Sequence, residues 1–172
     1  MVDRHDYVAL EWVKGDIAET LKQARSALDT YVETGNGDNL AACLAAIHQV
    51  HGALQMVEFY GAALLAEEIE ALALALQTGG VSQREESIRL LQQALGQLPL
   101  YLDRVHSARR DLPLVVLPLL NDLRSALGEN LLLETTLFSP QLLPISPLPE
   151  ASVTQGAPPA IHEPLRQSHQ SL

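Results

Sequence analysis

The sequence is poor in cysteine, aromatic residues and basic residues. Its 172 residues include one cysteine, and aromatic residues make up 4% of the chain. One cysteine forms neither an internal disulfide nor a cysteine-rich metal site, which is typical of a reducing compartment. The 11 basic residues face 21 acidic ones, giving a formal charge of −10. Without a basic stripe or an aromatic stacking platform, we expect no nucleic acid partner.

Long apolar runs are also missing from the chain. No run approaches the roughly 20 residues that a membrane-spanning helix requires. The N-terminal stretch MVDRHDYVALEWVKGD is too charged for a secretory signal peptide. We therefore expect a cytoplasmic protein without a membrane span.

The chain is rich in aliphatic residues, and their spacing predicts helices. Hydrophobic residues make up 47% of the sequence, which is enough to bury one core. They recur at steps of three and four, which gives each segment one apolar stripe. Four such stripes occupy residues 10–31, 43–57, 65–76 and 88–105. A helix with one apolar face packs that face against others, so the sequence predicts an all-α antiparallel bundle.

A further helix and a tail are predicted after the fourth stripe. The stretch LPLLNDLRSALG begins near Pro118 and again spaces its leucines for one apolar face. We expect it to pack on the bundle, making a domain of four to five helices over residues 1–138. Residues 139–172 are rich in Pro, Ser and Gln without periodicity, which predicts a disordered linker.

Two histidines in the second stripe stand out in the stretch IHQVHG, residues 47–52. At about 100° per residue, His48 lies roughly 140° from the centre of the apolar stripe and His51 roughly 80° from it. Gly52 lies opposite the core, where a glycine costs about 1 kcal/mol relative to alanine. A partner that approaches closely would explain this pattern. Equally, an alanine-rich helix tolerates one glycine, and exposed histidines are common.

The stretch IHQVHGALQMVEFYGAALLAEEIEAL resembles the signature of histidine phosphotransfer (Hpt) domains, including those of CheA-type chemotaxis kinases. That signature reads His-x-x-Lys-Gly on the second helix of a helical bundle. By this resemblance His48 occupies the phosphorylated position and Gly52 the glycine. Glu70 stands where CheA-type domains have a glutamate that holds the histidine ring, and His51 replaces the lysine. The resemblance covers about residues 7–107.

More narrowly, RHDYVALEWVKGDIAETLKQARSALD and HQVHGALQMVEFYGAALLAEEIE are similar to the N-terminal domain of ChpA-type (PilL) hybrid kinases. Those kinases control type IV pili and twitching motility. The resemblance implies a two-component phosphorelay with a CheA-type kinase domain and response-regulator receiver domains as partners. The partner would supply Mg²⁺, so no cofactor is expected on this chain. Recruitment to the cell pole is also implied.

The resemblance also implies a role for each site residue. His48 would accept the phosphoryl group through Nε2, and Glu70 would hold Nδ1–H and fix the tautomer. His51, expected to be exposed and only partly charged near neutral pH, would contact a phosphoryl oxygen as a weak substitute for lysine. Surrounding residues would contact the partner, unless they are ordinary surface or core: Ile47, Gln49, Gly52, Gln55 and Met56. No kinase or nucleotide motif appears, so the chain is a phosphoryl carrier at most.

Other interpretations of the same residues remain open. A metal site is not expected, because no HExxH or cysteine-rich motif accompanies the histidine pair. Cys43, Trp12 and Tyr31 are interpreted as bundle packing. The second functional hypothesis is a degenerate Hpt fold that only docks a pilus-signalling scaffold or polar-localisation protein, through residues 114–138. That hypothesis weakens if this segment leaves no exposed apolar patch.

Overall fold

The computed structural model describes residues 7–137, and this part of the chain is helical without strands. The main helices are α1 (Tyr7–Thr34), α2 (Gly37–Met56), α3 (Tyr60–Thr78), α4 (Arg84–Ala108) and α5 (Leu117–Leu127). A 3-10 turn (Pro113–Val116) precedes α5, and a short helix α6 (Glu134–Leu137) follows it. The all-α prediction is confirmed. The predicted linker at 139–172 lies outside the described residues.

Helices α1 to α4 form an antiparallel bundle around an aliphatic core. Short turns join them, and α1 packs on α2, α2 on α3, α3 on α4 and α4 on α1. The predicted stripes supply the core, because each helix turns its apolar face inward. Fully buried members include Leu21, Leu28, Ile47, Leu54, Leu65, Ile69, Leu72, Leu91 and Leu95. None of the described helices is long and apolar enough to cross a membrane.

The short turns fix where α2 and α3 begin and end. The side chain of Asn36 accepts a hydrogen bond from the backbone N–H of Asp38 at 2.9 Å and so caps the start of α2. Gly79 ends α3 in the left-handed conformation, with φ of 80°, which glycine adopts without a steric cost.

Helix α5 packs on the outer side of α3, as its leucine spacing predicts. Its apolar residues Leu117, Leu119, Leu120 and Leu123 are buried. Arg124 Nη1 donates to Glu68 Oε1 of α3 at 2.5 Å. The backbone of Leu132 exchanges two hydrogen bonds with the side chain of Asn121, which ties the next segment to α5. The fifth helix is therefore part of the folded domain.

The prediction that Trp12 packs in the bundle is wrong, whereas the same prediction for Tyr31 is confirmed. Trp12 was expected in the bundle, but 80% of it is exposed. Its position, roughly 145° from the centre of the α1 apolar stripe, explains this. Tyr31 is buried, and the guanidinium of Arg84 lies 5.6 Å from the centre of its ring.

Candidate functional site

The candidate site lies where α2 and α3 run side by side. Both histidines belong to α2, His48 about two turns and His51 about one and a half turns before its end, and Glu70 belongs to α3, about three turns after its start. The two helices are antiparallel and joined by a turn of three residues, so these positions face one another across the helix pair. The alignment of α2 with α3 therefore places one carboxylate beside two imidazole rings.

Glu70 binds both rings, one with each carboxylate oxygen. His48 Nδ1 lies 2.6 Å from Oε1, and His51 Nδ1 lies 2.7 Å from Oε2. An ionised carboxylate only accepts hydrogen bonds, so both rings donate from Nδ1–H. In each neutral ring the lone pair is therefore on Nε2. Sequence reasoning paired His48 with Glu70 but missed the contact of His51 with the same carboxylate.

The two rings differ sharply in exposure. The side chain of His48 is 75% exposed, whereas that of His51 is 15% exposed. Nε2 of His51 is buried and has no hydrogen-bond partner. The expectation of an exposed His51 is therefore wrong. The reason is its position on the flank of α2 that turns toward α3, where Glu70 binds it.

Glu70 carries a negative charge held against His48. Partial burial acts to raise the pKa of Glu70, but the hydrogen bonds from His48 and His51 act against it, and the pKa is lowered. The carboxylate is thus ionised at neutral pH. It favours the Nδ1–H tautomer of His48 and would stabilise positive charge on that ring.

The predicted contact residues around His48 are mostly open to solvent. Gln49 and Gln55 are exposed, and Met56 is 85% exposed. A Cβ added at Gly52 would meet nothing within 4 Å, so this part of the helix surface leaves room for another molecule. Ile47 is 1% exposed and packs in the core. Its prediction as a partner contact is therefore wrong, because it lies on the apolar stripe.

The ion pair of Glu68 with Arg124 was missed, although the sequence carries a signal for it. Glu68 follows Leu65 by three residues and precedes Leu72 by four, which places a carboxylate on the apolar stripe of α3. A charge in that position needs a partner. Burial raises the pKa of Glu68, while the hydrogen bond and charge of Arg124 act to lower it.

Other reactive residues in the described part of the chain form no metal-binding or nucleophilic site. Within residues 7–137, no cluster of three or more His, Cys, Asp or Glu residues could hold a metal ion. Cys43 is buried. Its desolvation, helped by the charge of Asp29, raises the pKa of the thiol to about 12. A thiol that stays protonated is a poor nucleophile.

Comparison with known proteins agrees with the helical bundle. Residues 8–108, which span α1 to α4, match the Hpt domain family. The chain is 33% identical over 135 residues to the scaffold protein FimL of Pseudomonas aeruginosa. That match covers 78% of this chain and 24% of FimL, so the chain spans about a quarter of the relative. No solved structure shows significant similarity.

The FimL match reaches beyond the Hpt bundle. Since 135 matched residues exceed the 108 that end with α4, the similarity includes part of the segment that carries α5. The narrower resemblance to ChpA-type kinases is not confirmed by these comparisons. The match over the whole four-helix bundle is decisive at the level of the family, and the chain belongs to the Hpt domain family.

Proposed function

We propose that this chain is a phosphoryl carrier in a chemotaxis-type phosphorelay. His48 accepts a phosphoryl group on Nε2 and passes it to an aspartate of a receiver domain. The observation that carries the proposal is the exposed ring of His48, with its Nδ1 2.6 Å from an ionised carboxylate. Membership of the Hpt family supports it independently.

The chemistry follows from the tautomer of His48. Glu70 holds Nδ1–H, so the lone pair of the neutral ring is on Nε2 and forms the bond to phosphorus as the bond to the donor's leaving group breaks. The ring becomes positively charged, and the carboxylate of Glu70 stabilises this charge. Phosphoryl transfer requires mainly positioning and charge stabilisation. The partner domain supplies Mg²⁺ and the remaining groups.

The open helix surface around His48 is the proposed partner face. Gln49, Gly52, Gln55 and Met56 would contact the incoming domain, and the open space at Gly52 would let it approach His48 closely. The donor is a CheA-type kinase domain and the acceptor a response-regulator receiver domain. The resemblance to ChpA-type kinases favours type IV pilus signalling in the cytoplasm, with recruitment to the cell pole.

The test is phosphorylation by the cognate kinase domain or by phosphorylated receivers, read as acid-labile phosphate on the chain. The wild type should be labelled, and His48→Gln should lose the label completely. His106→Gln is the matched control, because it makes the same chemical change outside the site and should keep the label. A label that survives in His48→Gln would contradict the proposal.

A second candidate function is a docking module, favoured by the similarity to a scaffold protein and by the exposed residues around α5. The apolar face of α5 itself is buried. Large apolar side chains nevertheless remain exposed before and after it, namely Leu112, Leu114, Val115, Leu131 and Leu133. Several exposed apolar side chains in one segment are typical of a protein contact surface.

Surface motility in cells that carry variants of the chain separates the two functions. If docking is the function, His48→Gln keeps motility and the double variant Leu114→Ser with Val115→Ser abolishes it. If phosphoryl transfer is the function, His48→Gln abolishes motility. Equal protein levels in all strains are the control.

A further inference from the structure

His51 is held in the site in a way that the phosphoryl carrier role of His48 does not require. Its ring is 15% exposed, its Nδ1 lies 2.7 Å from Glu70 Oε2, and its Nε2 is buried without a partner. A protonated ring would bury a charged donor at Nε2 unpaired, which costs more than a neutral acceptor there. The geometry therefore fits a neutral His51 that donates from Nδ1–H.

Glu70 needs a second contact to hold one orientation. The terminal torsion of a glutamate side chain is broad, and Glu70 is 23% exposed, so packing alone leaves its carboxylate free to rotate. His48, at 75% exposure, offers little restraint in return. The hydrogen bond from His51 occupies Oε2 and directs Oε1 toward Nδ1 of His48.

We propose that His51 is a positioning residue that sets the tautomer of His48 through Glu70. With Nε2 buried, His51 does not act as the phosphoryl ligand that a lysine at this position would be. Its part is to fix the carboxylate, so that the lone pair of His48 stays on the exposed Nε2. The effect of His51 on the tautomer of His48 does not depend on the proposed function, whereas its effect on phosphoryl transfer rests on that function.

The direct test is the tautomer of His48, read from the ¹⁵N resonances of its imidazole in the unphosphorylated chain. The wild type should be almost entirely Nδ1–H. His51→Leu keeps the side chain bulky and removes the donor, so the ratio of Nδ1–H to Nε2–H on His48 should fall roughly tenfold, the loss of one hydrogen bond. His51→Asn places an amide N–H near the position of Nδ1–H and should restore most of the ratio.

Two results would overturn the proposal. One is an unchanged ratio in His51→Leu, which would mean that Glu70 holds His48 without help. The other is an equal fall in His51→Leu and His51→Asn, because a donor effect must be rescued by a donor. If His51→Leu loses its helical circular dichroism, His51→Ala replaces it in the same comparison.

Phosphoramidate separates this proposal from the proposed function. This small donor needs no partner domain: Nε2 of His48 bonds to phosphorus, the phosphorus–nitrogen bond of the donor breaks, and ammonia leaves. The initial rate should fall in His51→Leu in proportion to the loss of the Nδ1–H tautomer of His48, and recover in His51→Asn. If the tautomer responds to His51 but wild-type His48 takes no phosphate from phosphoramidate or any partner, the positioning role stands and the phosphoryl carrier function fails.

Discussion

Two glutamates of the same helix, two residues apart, have different partners and different exposure. Glu70 faces α2, is 23% exposed and binds two histidines, whereas Glu68 faces α5, is buried and binds Arg124. Residues two positions apart in a helix are separated by about 200° around its axis, so the two carboxylates point to opposite sides of α3. The pKa of Glu70 is lowered and that of Glu68 is raised. The partner and the burial of each carboxylate, rather than the residue type, decide that Glu70 is available for the proposed chemistry and that Glu68 joins α3 to α5.

The largest expected effect is a loss of stability at the ion pair of Glu68 with Arg124. Arg124→Leu removes the partner of Glu68 and leaves a buried carboxylate unpaired, so the free energy of unfolding should fall by roughly 3–5 kcal/mol. Urea denaturation followed by circular dichroism measures it. Glu67→Gln, an exposed neighbour on the same helix, should change stability by less than about 0.5 kcal/mol.

A double variant shows whether the loss comes from the unpaired charge. Glu68→Leu combined with Arg124→Leu should regain most of the stability lost in Arg124→Leu, because apolar residues can replace a buried ion pair at little cost. If the double variant is as unstable as Arg124→Leu, the unpaired buried charge is not the cause. The claim that Glu68 differs from Glu70 by its role in packing would then be contradicted.

Glu70→Gln should change phosphorylation strongly and stability little, which is the reverse of the large stability loss expected for Arg124→Leu. The rate of phosphorylation at His48 should fall about tenfold to hundredfold, because the ring loses the carboxylate that fixes its tautomer and stabilises its charge. The free energy of unfolding should change by about 1 kcal/mol or less, since the site is partly exposed. Phosphoramidate labelling and urea denaturation measure the two quantities. A large loss of stability with normal phosphorylation would reverse the assignment.

The lowered pKa of Glu70 predicts a small dependence of stability on pH. A carboxyl group with a depressed pKa in the folded chain stabilises it above the ordinary value of 4.5, and this contribution disappears as pH falls through the lowered pKa. The stability advantage of the wild type over Glu70→Gln should therefore shrink below about pH 4.5. Urea denaturation of both chains across a pH series measures it, and an advantage that grows in acid would contradict the assigned direction.

The smallest expected effect on stability is at the partner face. Met56→Ser removes an 85% exposed apolar side chain, so the free energy of unfolding should change by less than about 0.5 kcal/mol. Transfer from a phosphorylated receiver should slow several-fold, while labelling by phosphoramidate should not change. Equal slowing with both donors would mean that Met56 acts on His48 itself rather than on a partner.

The helices were predictable because burial repeats along the sequence. The stripe through Leu21 and Leu28 identifies the buried face of α1 from spacing alone, and the leucines of α5 do the same. Trp12 shows the limit: it was interpreted as bundle packing, but its angular position places it outside.

The candidate site was only partly predictable, because side-chain pairs between helices depend on how the helices are aligned. Family resemblance gave Glu70 as the partner of His48, 22 positions away in the sequence. It gave no hint that His51 would share that carboxylate, since the family has a lysine there. The pair of Glu68 and Arg124 joins residues 56 positions apart, and only the misplaced charge on an apolar stripe pointed to it.

Glu70, by accepting Nδ1–H of His48, is proposed to leave the lone pair of that ring on an exposed Nε2. The most direct measurement is the site of phosphorylation, found by NMR of the chain after labelling with phosphoramidate and compared in His48→Gln and His106→Gln. We expect one phosphohistidine, substituted at Nε2, that is absent in His48→Gln and present in His106→Gln. Phosphate on Nδ1, or a label that persists without His48, would contradict it.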